Sequence, residues 1–336
     1  MLQFIVKKTL NALAVLLGVA TLVFFLFTVV PGDPAQMMMG KREDPELLAS
    51  IKAKYGLDKP LWKQYVNYLG RLSPIGWESG PTLKWPDLGE SYTQQGTSVG
   101  SLVASTFPNT AFLAFLAIAL AFVIGVALGG VIAHSPDALW ARWVSSLSSI
   151  GMSIPSFFSA VIVAWVFAYL LGPWTGFNLT GSLTAIDDYT GERYMALKNA
   201  VLPALTLGIR PVGVITQLTK NSALNVMGQD YIKLAKAKGL GTRYIFFKHV
   251  LPNAMNPIIT AVSGWFASLL AGAVFVEYIF GWNGMGKLLV DALNTQDMPV
   301  TMGCVLLIAA VFVIINTLVD MAYSVLDPRV RSKMMS

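Results

Sequence analysis

The chain has 336 residues, of which 55% are hydrophobic and only 12% charged, with a formal net charge of +6. Soluble domains carry roughly 25% charged residues, and the apolar residues here run in long blocks rather than in alternating or helical stripes, so the composition excludes a soluble globular protein and indicates a polytopic, all-α membrane protein. One cysteine, Cys304, and two histidines, His134 and His249, exclude an intramolecular disulfide framework and a thiolate metal cluster. The Lys/Arg excess is read as a topology signal rather than a nucleic-acid footprint.

The N-terminal MLQFIVKKTL places Lys7 and Lys8 ahead of an apolar run from Leu10 to Val30. That run is long for a signal-peptide core and ends in Pro31-Gly32-Asp33-Pro34 with no small-residue cleavage site, so it reads as a retained first span with a cytoplasmic N-terminus. Crossing a bilayer takes about 20 apolar residues. Blocks at about 10–30, 107–133, 144–171, 200–219, 257–280 and 300–324 qualify, which predicts six transmembrane helices and a cytoplasmic C-terminus. The chain then divides into a first segment and span (1–30), an extracytoplasmic segment (31–106), a five-helix core (107–324) and a cytoplasmic tail (325–336).

The charges of the short loops support this topology. Loop 220–256 carries Lys220, Lys233, Lys236, Lys238, Arg243 and Lys248 against Asp230 alone, and the tail adds Arg329, Arg331 and Lys333. The short outer loops 172–199 and 281–299 hold only Arg193, Lys198 and Lys287, as the positive-inside rule requires.

The outer segment is expected to hold two short amphipathic helices. ELLASIKAKYGLD puts Leu47, Leu48, Ile51 and Tyr55 on one face, with Gly56 as a stop. LDKPLWKQYVNYLGRL places Pro60 near a helix start and Leu61, Tyr65, Tyr68, Leu69 and Leu72 in a stripe. Two readings stand for this pair: helices lying on the bilayer interface, and a docking platform for a partner. Gly125 and Gly129 form a GxxxG pair that predicts close helix contact in the second span.

Arg210 falls in the middle of the fourth block, where a charge costs at least about 2.5–3.5 kcal/mol and must face protein or water. Pro203, Gly208, Pro211 and Gly213 around it predict a distorted helix. Arg210 either lines a polar translocation pathway, to which Glu277 also belongs, or makes a structural pair with Glu277 or Asp320. Two enzyme-like patterns are set aside. Gly281–Lys287 fits G-x4-G-K, but Leu288 stands where a magnesium-binding hydroxyl is needed, and the context is a membrane-exit turn. Ser263-Gly264 follows Ala261 where a nucleophile elbow has glycine, and no histidine lies nearby as a base.

The segment Tyr231–Pro252, YIKLAKAKGLGTRYIFFKHVLP, is the most informative. Ile232, Ala235 and Gly239 share one side of a helix and leave a slim edge for close packing by another surface. Gly239 and Gly241 permit a turn with positive φ, Thr242 is placed to cap a second helix, and Pro252 marks its end or a kink. A basic loop resting on anionic headgroups accounts for the lysines, but not for this Ala/Gly spacing or the Leu-Pro ending.

The segment resembles the EAA loop of ABC-importer permease subunits: Glu-Ala-Ala, three residues, Gly, nine residues, Ile, one residue, Leu-Pro. Gly239 aligns with the motif glycine, Ala235 with the second alanine, and Leu251-Pro252 with the ending; Lys233, Leu234 and His249 depart from it. The longer DYIKLAKAKGLGTRYIFFKHVLPNAM is similar to the version in dipeptide, oligopeptide and nickel importer permeases. So are FIVKKTLNAL leading to VVPGDP, YGLDKPLWKQYVNYL, LLAGAVFVEYIFGWNGMGKLLVDAL and NTLVDMAYSVLDPRVR. The PGDP motif with a long first outer loop resembles the first, B-type, chain of such permease pairs.

The resemblance implies a type I ABC-importer permease fold in a bacterial inner membrane. It implies a second homologous permease, two ATP-binding subunits and an extracytoplasmic solute-binding protein as partners. ATP and magnesium would sit on the ATPases, with no cofactor, metal or catalysis in this chain. It also implies a coupling role for Lys233, Ala235, Lys236, Lys238, Gly239, Leu240, Arg243, Leu251 and Pro252. In that reading Ala235, Gly239 and Leu240 give close packing and the basic residues give electrostatic docking. Peptides are the expected cargo, with nickel or another small solute as the alternative, although two distant histidines make no nickel site in this chain. The competing class is a self-sufficient secondary transporter or channel. Six spans without an internal three-span repeat or mid-membrane coupling carboxylates weigh against it.

Overall fold

Proline and glycine decide where the helices of this chain begin, bend and stop. The computed structural model describes residues 2–29, 35–36, 44–76, 82–94, 96–187 and 190–326. The Pro31–Pro34 motif and the basic tail residues Arg329, Arg331 and Lys333 lie outside them, as does the side chain of Asp320. Apart from a single turn at Gly172–Thr175, the helices are α1 (Leu2–Val29), α2 (Pro45–Tyr55), α3 (Leu61–Leu72), α4 (Val99–His134), α5 (Leu139–Ser153), α6 (Ser156–Val163) and α7 (Val201–Met227). There follow α8 (Asp230–Ala237), α9 (Thr242–Ile245), α10 (Leu251–Gly272), α11 (Val274–Ile279), α12 (Met285–Asn294) and α13 (Met298–Leu326). Two short antiparallel strand pairs join Ile75–Gly76 to Thr82–Leu83 and Thr184–Ile186 to Arg193–Met195.

The chain forms two units, Met1–Pro108 with Lys287–Ser336, and Asn109–Gly286. In the first, α1 packs along α13 and α3 packs on α1. The Phe24 ring meets the rings of Tyr65 and Tyr68 at 5.3 Å each, and the Tyr65 and Thr21 hydroxyls share a 2.7 Å hydrogen bond. Both predicted outer helices are present. Asp44 caps α2 by accepting the Glu46 and Leu47 N–H groups at 3.0 and 3.2 Å, and Gly56 closes it at φ +67. The predicted stripe on α3 holds at Tyr65 and Tyr68, whereas Leu61 is exposed. The buried carboxylate of Asp297 accepts from the Ser91 hydroxyl and from the Tyr92 and Thr93 N–H groups, fastening residues 91–93 to the start of α13.

In the second unit α7 is central and packs against α5, α6 and α10. The GxxxG pair of α4 meets it: a Cβ on Gly125 would press on Ile215 at 2.7 Å, and one on Gly129 would press on Thr219 at 2.6 Å. The distortion predicted around Arg210 does not occur, because α7 runs unbroken from Val201 to Met227 with Pro211 inside it. Its glycines serve contact instead. A Cβ at Gly208 would stand 3.4 Å from the Ala117 carbonyl, and one at Gly213 would strike Ser148 and Met152.

Two predicted spans are built differently from the expectation. Block 144–171 is not one straight helix: α5 and α6, which continues as a π-helix over Ala164–Leu170, meet at 110°. Pro155 forces this, since proline cannot continue the ladder and holds the preceding Ile154 extended at φ −77, ψ 130. Block 257–280 is α10 followed across Ala273 by the short α11. Among the described residues, four helical stretches are long and apolar enough to cross a membrane, or five if the bent pair counts as one. These are Val6–Thr28, Val99–His134, Leu197–Met227 and Met298–Val319; α10, with Asn253, Asn256, Thr260 and Ser263, is not among them.

Candidate functional site

The basic segment folds as predicted in outline and differently in detail. Helix α8 ends in a Schellman motif: Gly239 N–H donates to Lys236 O at 2.9 Å, and Leu240 N–H to Ala235 O at 3.3 Å. Gly239 sits at φ +79, the left-handed conformation that glycine adopts at least cost, and a Cβ there would meet nothing within 4 Å. Thr242 does not cap the next helix. Gly241 occupies the N-cap position of α9, and no side chain completes the cap.

Leu251-Pro252 is not a stop either. Helix α9 widens into a π-helical turn over Phe246–Val250 and continues directly into α10, with Pro252 in its first turn. A proline inside regular helix would lose a hydrogen bond and clash one turn back; the wide turn ahead of Pro252 accommodates it.

One face of this segment is anchored to its own chain. Ile232 (0% exposed), Ala235, Ile245, Phe246 and Val250 form a buried cluster with Ala133 of α4 and Ala223 of α7, and Leu251 packs against it. The slim edge expected at Ala235 is therefore already filled by the protein itself, because a residue this small lets α8 lie close to α7. Phe246 reaches α4: its ring stands 4.6 Å from the ring of His134, and a Cβ on Gly130 would approach it at 2.9 Å. This contact joins residues more than a hundred positions apart, so no local sequence pattern signals it.

The opposite face is open. Lys233, Leu234, Lys236, Lys238, Gly239, Leu240, Arg243 and Pro252 are all exposed, and Tyr231, Tyr244 and Phe247 add exposed rings. Lys233 makes a surface ion pair with Asp230 at 2.8 Å. Lys236, Lys238 and Arg243 leave the face strongly basic.

Glu277 and Arg210 are not brought together. Among the described residues no ion pair joins them: Arg210 donates to the Met152 carbonyl at 3.3 Å and lies 5.6 Å from the Trp265 ring centroid. It is exposed, at the middle of α7. Glu277 is fully buried and accepts the Gly286 N–H at 2.7 Å. Its carboxylate, sealed among packed side chains, fastens the turn after α11.

Around that turn Trp282 donates to Asn109 O at 3.1 Å, Thr110 Oγ accepts the Met285 N–H at 2.8 Å, and Gly181 N–H donates to Phe280 O at 2.9 Å. The Met285 and Gly286 amides are thus committed to internal partners. The G-x4-G-K pattern makes no phosphate cradle here.

Comparisons with known proteins identify the family of this chain. Residues 121–332 match the family model of the binding-protein-dependent transport system inner membrane component, and residues 1–114 match the N-terminal model of such membrane components. The chain belongs to this family. Among its relatives, the di/tripeptide transport system permease protein DppB of Pseudomonas aeruginosa is 35% identical, over 98% of this chain and 99% of the relative. The dipeptide transport system permease protein DppB of Escherichia coli K12 is 35% identical, over 99% and 100%. A chain of the methionine ABC transporter MetNI in an inward-facing conformation aligns at 18% identity with a TM-score of 0.48, over 66% of this chain and 95% of that one. This inner-membrane permease thus presents an anchored helix–turn–helix whose outer face is basic and unoccupied by its own fold.

Proposed function

We propose that this permease is one membrane subunit of an ATP-driven importer of di- and oligopeptides, and that residues 230–252 are the handle through which a separate ATPase moves it. The exposed face around Gly239 carries the proposal. Its apolar side is consumed by Ile232, Ala235 and Phe246, so movement of the turn is transmitted into α4, α7 and α10, while Leu240 and the basic residues remain for a partner. The cargo follows the full-length relatives, whose names specify dipeptides and tripeptides.

In this reading the complete transporter has the type I fold with six spans per permease and cytoplasmic termini. A second homologous permease completes the pathway, two ATPase subunits hold ATP and magnesium, and an extracytoplasmic binding protein delivers the peptide. The permease itself binds no cofactor and performs no catalysis. Arg210, exposed on α7 and cradled by a carbonyl and an indole, lines the polar route. Arg210→Gln is expected to leave assembly intact and abolish uptake; normal uptake by that variant in membrane vesicles reduces it to a structural residue.

The decisive experiment compares peptide uptake and ATP hydrolysis by the reconstituted transporter carrying Gly239→Trp. The expected result is hydrolysis without uptake, because a bulky side chain on the open turn separates the two surfaces. Gly239→Asn, a residue that tolerates positive φ, is expected to keep most uptake. Uptake equal to the parent for Gly239→Trp overturns the assignment.

A further inference from the structure

Within the first unit, a partly open cavity of about 500 Å³ lies between the last turns of α1, the first turns of α13 and the outer helices α2 and α3. That volume falls in the range of small-molecule sites, roughly 300–1,000 Å³. Its walls differ by element. The two spans contribute apolar side chains, among them Phe27, Met302 and Leu306. The outer segment adds Leu57, Leu72 and Leu88 and all the charged side chains, two cations, Lys54 and Arg71, and two anions, Asp87 and Glu90. The charges of the cavity therefore all come from the outer segment, where they balance, and the spans contribute none.

Two polar groups are poised for a ligand. Arg71 spends its Nε on Asp87 at 2.9 Å, which leaves the other guanidinium N–H groups for an anion. Burial works against the charge on Asp87, yet the hydrogen bonds from Arg71 and the Gly89 N–H and the positive charges of Arg71 and Lys84 hold its carboxyl below the usual range. Tyr68 also lines the cavity, and among the described residues its hydroxyl is buried without a hydrogen-bond partner. Leaving a buried hydroxyl without a partner is unfavourable, and a ligand oxygen within its reach would supply the missing bond.

We propose that the cavity holds one zwitterionic phospholipid of the leaflet that borders it. Its acyl carbons rest on Phe27, Met302 and Leu306, its phosphate faces Lys54 and Arg71, its ammonium faces the carboxylates, and an ester or phosphate oxygen accepts from Tyr68. A peptide zwitterion shares the charges. The lipid is favoured because the apolar wall belongs to two spans, and α1 leaves Leu22 and Phe25 exposed beside the cavity-lining Phe24 and Phe27. The inference rests on the membrane placement of α1 and α13 and not on the cargo.

The test uses the full-length chain in nanodiscs of mixed phosphatidylethanolamine and phosphatidylglycerol, extracted into mild detergent and weighed by native mass spectrometry. One retained phosphatidylethanolamine per chain is expected. Met302→Trp, which fills the apolar end, should lower the retained fraction about tenfold, equivalent to about 1.4 kcal/mol. Tyr68→Phe removes one oxygen and should lower it about threefold. If Met302→Trp fails to fold, Tyr68→Phe decides. Retention unchanged in the folded variants overturns the proposal. So does equal retention of phosphatidylglycerol, or displacement of the lipid by a dipeptide such as Ala-Leu, which would make the cavity a cargo site.

Discussion

Two glycine-bearing turns of the second unit, at 239–241 and at 281–286, invite comparison because both are flanked by helix and set among apolar residues. At Gly284 a Cβ would meet the Thr110 hydroxyl at 2.6 Å and collide with Glu277, and at Gly286 it would collide with the backbone of Val274. Trp282, two residues before Gly284, is 0% exposed. At Gly239 the same atom would meet nothing, and the flanking lysines are exposed. Gly284 and Gly286 serve compression, whereas Gly239 serves backbone conformation. A turn packed solid is an internal clamp, whereas a turn with an anchored back and an empty front is a surface for another molecule. The pattern of glycines alone does not tell these apart; the surrounding space does.

The largest expected effect breaks the clamp. Gly286→Val forces a branched side chain against the Val274 backbone and Glu277, and overpacking of this kind costs about 1–3 kcal/mol or more. The variant should show a much lowered melting temperature in detergent, or no folded protein, and an unchanged melt would remove the contrast between the turns. Gly239→Trp should cost no more than about 1–2 kcal/mol, the penalty of left-handed backbone for a residue with a Cβ; its effect falls on coupling instead.

A smaller effect sharpens the comparison at the level of charge. Reversing Lys236 and Lys238 to glutamate should weaken ATPase-coupled uptake at low salt, with the difference from the parent shrinking as salt screens the surfaces. A loss of uptake that ignores ionic strength would assign these lysines a role other than electrostatic docking.

Much of this was legible in the sequence. The apolar blocks located the long helices, Gly56 and Gly239 ended helices where only glycine sits easily, and Gly125 and Gly129 marked the α4–α7 contact. What escaped depends on packing between distant residues. Ala235 reads as an open edge until Ala133, Ala223 and Phe246 are seen to cover it. Glu277 reads as an unusual charge near a span until Gly286 is seen to donate to it. The bend at Pro155 had a local signal, since the residue before proline avoids helical backbone, but the apolar run on both sides outweighed it. Likewise Leu251-Pro252 reads as a terminator because a sequence does not display the π-helical turn that carries the chain past it.

Cross-linking tests the central claim, that the open turn is where a partner acts, most directly. The chain's own cysteine, Cys304, is buried, so Lys238→Cys on the open turn and Asn283→Cys at the exposed tip of the clamp can each be coupled through a short bifunctional thiol reagent in the assembled transporter. The account predicts a product between Lys238→Cys and the ATPase subunit, changing in yield when ATP is bound, and none from Asn283→Cys. Efficient cross-linking from Asn283→Cys with none from Lys238→Cys would contradict it.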